Sequence, residues 1–580
     1  MPEPIASTTP QVITPTHELT PRELQAREQV GHTEVAPGLA TVLAVLFCLM
    51  IALPPVVELL RLRHGGNTSP LATTTVTTGR RRDPNPGGSL YRLMARNAAA
   101  LAWIRAFEDG LDQDNWLSSA LRPATQLLLA AVAGVGNEKV YLGHDRWLFF
   151  RPAVDHLTGP GFLTEPYLRA RRQAGNEFQA APVPDPLPAV RRFHQDLAQR
   201  GIRLVVMPTP VKAAIHPEKL STRMHGPRRD PPRNPSFARF LTELKEQGIS
   251  VYNPTAALQR YRDSSGQAAF LATDTHWSPG AMDAVARDLA AWIRDHVSLP
   301  PARPFSERVT SVAHNTGDLT ALLDLPEHQT LYPPEEVACE QVVTTGGQFW
   351  RPDSGAPVLL LGDSFTNIYS LPTMGWGGVA GLTEQLSHHL GLGVDRISRN
   401  DAGASATRRI LAQDLARGRD RLAGKAVVVW QFAARELSFG TWPVIPLALG
   451  EPQPGSFFVP EPHTTLRLEA SVVDVAPVPR PGHVPYRDHV VMVHLTDLVR
   501  DGESPDNGHT EAVAFVLSMR DGVLTPAAHV RPGDRVRVRL RPWTDVEDEY
   551  GGLNRSELDN DELLFQEPCW LETITVENDR

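Results

Sequence analysis

Two runs of consecutive apolar residues, in PVLLLGDS (357–364) and KAVVVWQF (425–432), constrain the fold more than any other feature of the chain. A strand with one face in water alternates apolar and polar side chains. A strand without that alternation is buried on both faces, as happens when helices cover both sides of a parallel sheet. The neighbouring segments fit the same scheme. PAVRRFHQDLAQRG has helical spacing and ends at Gly201, and IRLVVMPTP follows as a buried strand. SFARFLTELKEQG reads as the next helix and ISVYNPT as the next strand. This alternation predicts an α/β domain, a mostly parallel sheet with helices on both faces. Such sheets take ligands beyond the carboxyl ends of their strands, so residues just past a strand are the first candidates for chemistry.

The chain has 580 residues, too many for one core. Residues 1–34 are rich in Pro, Thr and Glu and read as a disordered tail. Val35 to Val57 holds no charged residue. At 1.5 Å per residue that stretch can span about 30 Å of hydrocarbon, which predicts an N-terminal transmembrane helix over 35–60. Charge does not orient it: Arg22 and Arg27 precede it, Arg61 and Arg63 follow it, and Arg80, Arg81 and Arg82 lie farther along. Residues 61–89 read as a flexible linker. The catalytic domain is expected over 90–450, opening with a helical pattern from Leu90 to about Val135 and then the aromatic, strand-like KVYLGHDRWLFFRP.

Over 455–580 the pattern changes. LRLEASVVDVAPV, HVVMVHLTDL, EAVAFVLSM and GDRVRVRLRPW read as strands with little helix between them, which predicts an all-β, barrel-like accessory domain. In the last of these Val536, Val538 and Leu540 point one way and Arg535, Arg537, Arg539 and Arg541 the other. Trp543, Tyr550 and Trp570 belong either to that domain's core or to a glycan-binding surface. A net charge of −9 excludes a broad nucleic-acid-binding surface, and no zinc-type Cys/His spacing occurs. Cys48 lies in the apolar stretch, while Cys339 and Cys569 are either a pair, in an oxidising compartment, or two separate buried thiols.

Two short motifs carry the chemistry. PVLLLGDSFTN places Ser364 just past a buried strand, with Gly362 opening the turn. A serine becomes a nucleophile when a base takes its proton. FLATDTHWSPGA supplies His276 as that base, and Asp274, two residues earlier, points the same way in an extended segment and can orient the imidazole. Asp274 and His276 could instead be metal ligands, with His216 as the third ligand to test; the expectation is no metal and no cofactor. The Ser364 backbone N–H, Gly403 and the Gln431 side chain are candidate oxyanion donors. Arg435, close behind Gln431, is a candidate either to hold a sugar carboxylate or to brace the loop.

Four segments in order, VYLGHDRWLFF, VVMPTPVKAAIHPEKL, FLATDTHWSPGA and LLLGDSFTN, with VVVWQFAAREL after them, resemble the AlgJ/AlgX-like group of SGNH-hydrolase-fold polysaccharide O-acetyltransferases. The likeness covers about residues 90–447. It implies an SGNH-hydrolase-like fold and a Ser-His-Asp triad of Ser364, His276 and Asp274, with the Asp-x-His segment ahead of the serine, the reverse of the usual order. It implies a periplasmic enzyme, single-pass in the bacterial inner membrane with its N-terminus in the cytoplasm, acetylating a polysaccharide hydroxyl. It also implies a multipass membrane O-acyltransferase that relays acetyl groups to it. The chain departs from the group's pattern at Trp430-Gln431-Phe432, where Trp-Glu-Phe is expected, and in its tail. Two other functions remain open on the residues alone: a carbohydrate acetylesterase using the same triad, and a non-catalytic glycan-binding or assembly protein.

Overall fold

A computed structural model of the chain describes residues 116–175, 181–224, 231–326, 328–400, 403–450, 457–482, 484, 486–500, 510–558, 560, 563 and 566–576, together with 38, 41–45 and 47. The chain divides into two compact units, Met1–Leu121 and Arg122–Arg580. Everything below concerns the second. The expected tail at 1–34, the linker at 61–89 and most of the expected anchor at 35–60 lie outside the described residues. Among the described residues no helix is long and apolar enough to cross a membrane. The helical pattern expected over 90–135 is described from the helix Trp116–Leu128 onward.

Sixteen strands are described in the second unit. A hairpin of β1 (Val140–Leu142) and β2 (Leu148–Phe150) opens it. The parallel sheet consists of β3 (Arg203–Thr209), β4 (Ser250–Val251), β7 (Val358–Gly362), β8 (Asp395–Ser398) and β9 (Val427–Ala433), in the order β4-β3-β9-β7-β8. Between them lies a long hairpin of β5 (Ser306–Asn315) and β6 (Glu335–Thr344).

Successive residues of the sheet enter different cores. Val205, Met207, Val358, Leu360, Val427 and Val429 pack with helix Pro279–His296 and its neighbours on one face. Leu204, Val206, Leu359, Leu361, Val428 and Trp430 pack with helices Pro186–Ala198, Phe237–Glu246 and Ala406–Ala416 on the other. This is why the strands read as unbroken apolar runs. The register brings the carboxyl ends of the strands to one edge, with Thr209 beside Ala433 and Gly362 beside Ser398.

The remaining strands are β10 (Leu466–Val475), β11 (His489–Val499), β12 (Ala512–Arg520), β13 (Val523–Leu524), β14 (Arg535–Pro542), β15 (Arg555–Ser556) and β16 (Cys569–Val576). Pairing of β10 with β11, β11 with β12, β12 with β16, β16 with β14 and β14 with β10 closes a five-stranded barrel. The first three strands form a meander, β12 and β16 are parallel, and the order is that of OB-type Greek-key barrels. Trp543 and Trp570 are buried, at 5.9 Å between ring centroids, with Tyr550 stacked on Trp570 at 4.2 Å. The tail aromatics are therefore core. Cys339 and Cys569 are free buried thiols, donating to the Trp376 and Phe458 carbonyls respectively. Cys48 lies outside the described residues.

The barrel packs on the α/β layer. Leu371, seven residues past Ser364, is buried in the barrel's apolar core. Arg399, directly after β8, donates its backbone N–H to the Gly362 carbonyl at 3.0 Å and its guanidinium to Glu557 and the Arg555 carbonyl at 2.8 and 3.0 Å.

Candidate active site

β7 ends at Gly362, where a Cβ would sit 2.1 Å from Thr366 Oγ1, so only glycine fits the turn. Asp363 then caps the short helix Ser364–Asn367. Its carboxylate accepts from Phe365 N–H at 2.9 Å and from Ala433 N–H, at the end of β9, at 2.7 Å. The turn thus stands Ser364 at the carboxyl edge of the sheet, with the residue 9% exposed.

The segment 272–276 is held from several sides. Glu335 accepts from the Ala272 and Thr273 N–H groups at 2.9 and 2.7 Å. Lys212, buried under the segment, donates to the carbonyls of Leu148, Ala272 and Asp274 at 2.6, 2.8 and 2.9 Å. Burial pushes its pKa down to about 7 against the pull of Asp274 and Glu335. Three carbonyl partners need all three hydrogens of the ammonium, which argues that the charged form occupies this site. Trp277 Nε1 donates to the Phe365 carbonyl and Tyr369 Oη to the Trp277 carbonyl, at 3.1 and 2.6 Å. These two bonds clamp the histidine segment to the serine segment.

Within this frame His276 Nε2 lies 2.8 Å from Ser364 Oγ, and His276 Nδ1 lies 2.6 Å from Asp274 Oδ1. The carboxylate fixes the proton on Nδ1 and leaves Nε2 to accept from the serine hydroxyl. Asp274 Oδ1 also accepts from the His276 N–H at 3.0 Å, and Oδ2 from Asp318 N–H at 3.1 Å and Trp376 Nε1 at 2.9 Å. Burial opposes ionisation of Asp274, but His276 and these donors outweigh it and hold the carboxyl down at about 2. Burial likewise opposes the imidazolium, and Asp274 outweighs it, so the His276 pKa is raised. The arrangement can take a proton from Ser364 and return it to a leaving group.

Asp318, Trp376, Lys212 and Glu335 were not singled out in the sequence. Asp318 opens the short helix Asp318–Leu322 in HNTGDLT, and Trp376 lies in TMGWGGV, twelve residues past Ser364, both outside the two motifs. Lys212 lies inside one of the resemblance segments, and its burial at the mouth of β3 is the missing signal.

The other candidates stand as follows. Gln431 is 1% exposed, and its Oε1 accepts from Asp363 N–H and Thr366 Oγ1, both at 2.9 Å. Its Nε2 donates to Thr209 Oγ1 at 3.0 Å. Oε1 braces the turn beneath Ser364 and Nε2 ties it to the end of β3, so the amide is engaged at both ends, which corrects the expectation of an oxyanion donor. It also explains how Gln can stand where Glu was expected, since the position calls for an acceptor oxygen. Gly403 has φ +68°, and a Cβ there would lie 2.6 Å from Glu436 Oε2. This is turn geometry and by itself brings no donor to Ser364. Among the described residues the Ser364 N–H has no acceptor and stays open.

Arg435 lies 5.3 Å over the Phe150 ring, beside Glu436 Oε1 at 3.8 Å. It lines a small, mostly apolar cavity with Phe149, Val211, Thr275 and Phe365, and among the described residues its buried Nη1 has no hydrogen-bond partner. Asp274, His276 and Asp318 bring potential metal-ligand atoms within 4.8 Å of one another. The Asp274 oxygens are filled by N–H donors, and Asp318 Oδ1 accepts from Thr275 N–H at 2.7 Å. His216 is not part of this cluster: its Nε2 accepts from Ala269 N–H and its Nδ1 faces Glu218.

Residues 140–434, just over half of the chain, match the family model described as SGNH hydrolase-like domain, acetyltransferase AlgX. Two curated relatives are probable alginate O-acetylases AlgJ. The protein from Pseudomonas aeruginosa is 30% identical over 240 residues, 40% of this chain and 53% of the relative. The protein from Pseudomonas fluorescens is 28% identical over 285 residues, 46% and 62%. The chain therefore spans a little over half the length of these relatives. Among solved structures, the O-acetyltransferase domain of Pseudomonas putida AlgJ is 23% identical and aligns over 52% of this chain and 92% of that one, with TM-score 0.38. Pseudomonas aeruginosa AlgX is 14% identical over 63% and 76%, with TM-score 0.34.

Proposed function

We propose, from the premise that this chain belongs to the SGNH hydrolase-like family of the acetyltransferase AlgX, that it is a serine-dependent O-acetyltransferase acting on hydroxyls of an exopolysaccharide. The observation that carries the reading is the unbroken hydrogen-bonded chain from Ser364 Oγ through His276 to Asp274. His276 Nε2 takes the Ser364 proton as Oγ attacks the acetyl carbonyl of the donor. The carbonyl electron pair moves to oxygen, and the Ser364 N–H receives that charge. Collapse expels the leaving group, which takes the proton back from His276, and Ser364 holds the acetyl ester. A sugar hydroxyl then gives its proton to His276, attacks the ester and leaves acetylated, and the proton returns to Ser364. Arg435, with its buried unpartnered Nη1, is the residue we assign to an acidic group of the substrate near the site.

Water in place of the sugar turns the same site into an acetylesterase, so the test must contain both acceptors. Incubation with a chromogenic acetyl ester is expected to add the mass of one acetyl group to the peptide holding Ser364, and an added oligouronate is expected to remove it as sugar ester. An acetyl group mapped to another residue overturns the assignment. Release only as acetate, at all oligouronate concentrations, makes the protein an esterase. No acetyl transfer or release at all favours the glycan-binding reading.

The uncharged stretch Val35–Val57 supports an N-terminal membrane anchor. With family membership it supports a catalytic domain on the periplasmic side of the inner membrane, supplied with acetyl groups by a multipass membrane acyltransferase.

The rate should also report the state of His276, which works as a base only when neutral. Its pKa is raised above the ordinary value of about 6.5. As pH falls through that raised pKa the imidazole protonates and the rate drops. Asp274, held at about 2, stays ionised throughout. The acidic limb of kcat/KM for acetyl-ester turnover is therefore expected to have its midpoint above about pH 6.5. A midpoint well below that value would contradict the buried Asp274–His276 coupling.

A further inference from the structure

We propose that the wall of the barrel formed by β10, β14 and β16 is a docking strip for an anionic, carboxylate-bearing polysaccharide. Barrels with this strand order usually take oligomeric ligands on the face of their second and third strands and on the loop between the fourth and fifth. Here those are β11, β12 and the segment 543–568, and that face is spent. β11 and β12 are buried along almost their whole length. Met492 and Phe515 look onto Gln413, Arg417 and Arg419 of the α/β layer. Arg417 donates to the Gln566 carbonyl at 2.6 Å, and Arg419 pairs with Glu567 at 2.5 Å. The wall left to solvent is the opposite one.

That wall is arginine-rich on a chain whose net charge is −9. β14 alternates, so Val536, Val538 and Leu540 enter the barrel while Arg535, Arg537 and Arg539 stand outside in a row, about 7 Å from one to the next. Arg541 continues the row, half-buried. Arg467 of β10 is exposed directly opposite Arg539. Like charges facing each other across a strand pair destabilise a sheet, so the pairing is a cost to the fold alone. The carboxylates present do not cancel the row. Glu469 pairs with Arg537 at 3.4 Å, Glu572 with Arg539 and Arg541 at 3.1 and 3.3 Å, and Asp545 with Arg541 at 3.7 Å. Among the described residues Arg467 and Arg535 have no carboxylate partner. Thr573 and Thr575 of β16, exposed beside the row, add hydroxyls. A guanidinium row at regular spacing meets carboxylates bidentately, and a polyuronate offers them at regular intervals.

The choice of a glycan rests on the acetyltransferase reading; the row of charge does not. The test uses the full chain, with sodium alginate as the polyuronate, neutral dextran as control, and vesicles of anionic lipid. Arg467→Gln, Arg535→Gln and Arg539→Gln together are expected to weaken alginate binding about tenfold at low salt and to flatten its salt dependence. Turnover of a small acetyl ester should be unchanged, which also reports that the variant is folded. Dextran should not bind. Equal alginate binding by the variant and the wild type overturns the proposal, and so does equal affinity for dextran. A loss confined to anionic vesicles makes the strip a membrane contact instead. Ser364→Ala separates the two readings: alginate binding should survive in it whether or not acetyl transfer does.

Discussion

Replacing Ser364 with alanine is expected to lower acetyl-ester turnover about ten-thousand- to million-fold and to leave the fold intact. The size of the loss follows from what the hydroxyl does. Ser364 Oγ is the atom 2.8 Å from His276 Nε2, so its removal takes away both the bond-forming atom and the proton that the base would take. What remains is the open Ser364 N–H and any binding energy, which account for a residual rate well above that of water. The structural cost is small. The hydroxyl makes this one recorded hydrogen bond, at the rim of a turn fixed by Asp363, Gln431 and Gly362, and its loss costs about 1 kcal/mol. Circular dichroism and the unfolding midpoint should therefore match the wild type while turnover collapses. A variant within tenfold of wild-type kcat/KM would sink the serine mechanism.

Asp274→Asn is expected to be nearly as damaging, at about ten-thousand-fold in kcat, and for a reason particular to this site. The carboxylate accepts four hydrogen bonds, two on each oxygen: His276 N–H and Nδ1 on one, Asp318 N–H and Trp376 Nε1 on the other. An amide has only one acceptor end. With its NH2 toward His276, Nδ1 must become an acceptor, the proton moves to Nε2, and the histidine faces Ser364 as a donor. With its NH2 toward Trp376, the tautomer survives, but donor meets donor at two buried N–H groups. That costs about 1–3 kcal/mol for each group left unsatisfied. Either outcome also removes the charge that raises the His276 pKa, so the residual activity should carry an acidic limb at lower pH than the wild type. A variant with the wild-type limb and a rate within a factor of ten would show that Asp274 is only a structural acceptor.

These predictions rest on residues that could be read from the chain alone. Asp274, His276 and Ser364 were legible because each motif lies within a few residues of a recognisable boundary: an all-apolar strand for the serine, and an extended pair before a helix start for Asp274 and His276. β3, β7, β9 and most of the barrel were legible from their side-chain period. β8 was not. Its four residues include Asp395 and Arg396, and Asp395 is buried because Arg421 and Lys425 neutralise it from 2.6 and 3.2 Å, partners that no local pattern reveals. The exposed hairpin β5–β6 was missed because few of its side chains reach the core. β16 was missed although the barrel was expected, because its place in the closed sheet depends on a parallel pairing of only Ala514 with Cys569 and Phe515 with Trp570. Gln431 was seen but misassigned. Position at a strand end says that a side chain is near the site; it does not say which end of its amide faces the chemistry. Lys212 and Asp318, each opening a short helix, Glu335 at a strand start and Trp376 in a loop act on the triad from separate parts of the chain, and their relevance is a property of tertiary structure.

The burial of Leu371 in the barrel has a consequence for how the protein comes apart. Eight residues of backbone run from the nucleophile to a side chain that the other layer keeps dry, and Arg399 adds a second strut from β8 to Glu557. The two layers therefore share a melting unit instead of behaving as beads on a string. Loosening the barrel exposes Leu371 to water and frees the far end of the Ser364 segment. Its failure would silence the site in the same transition that unravels the α/β sheet.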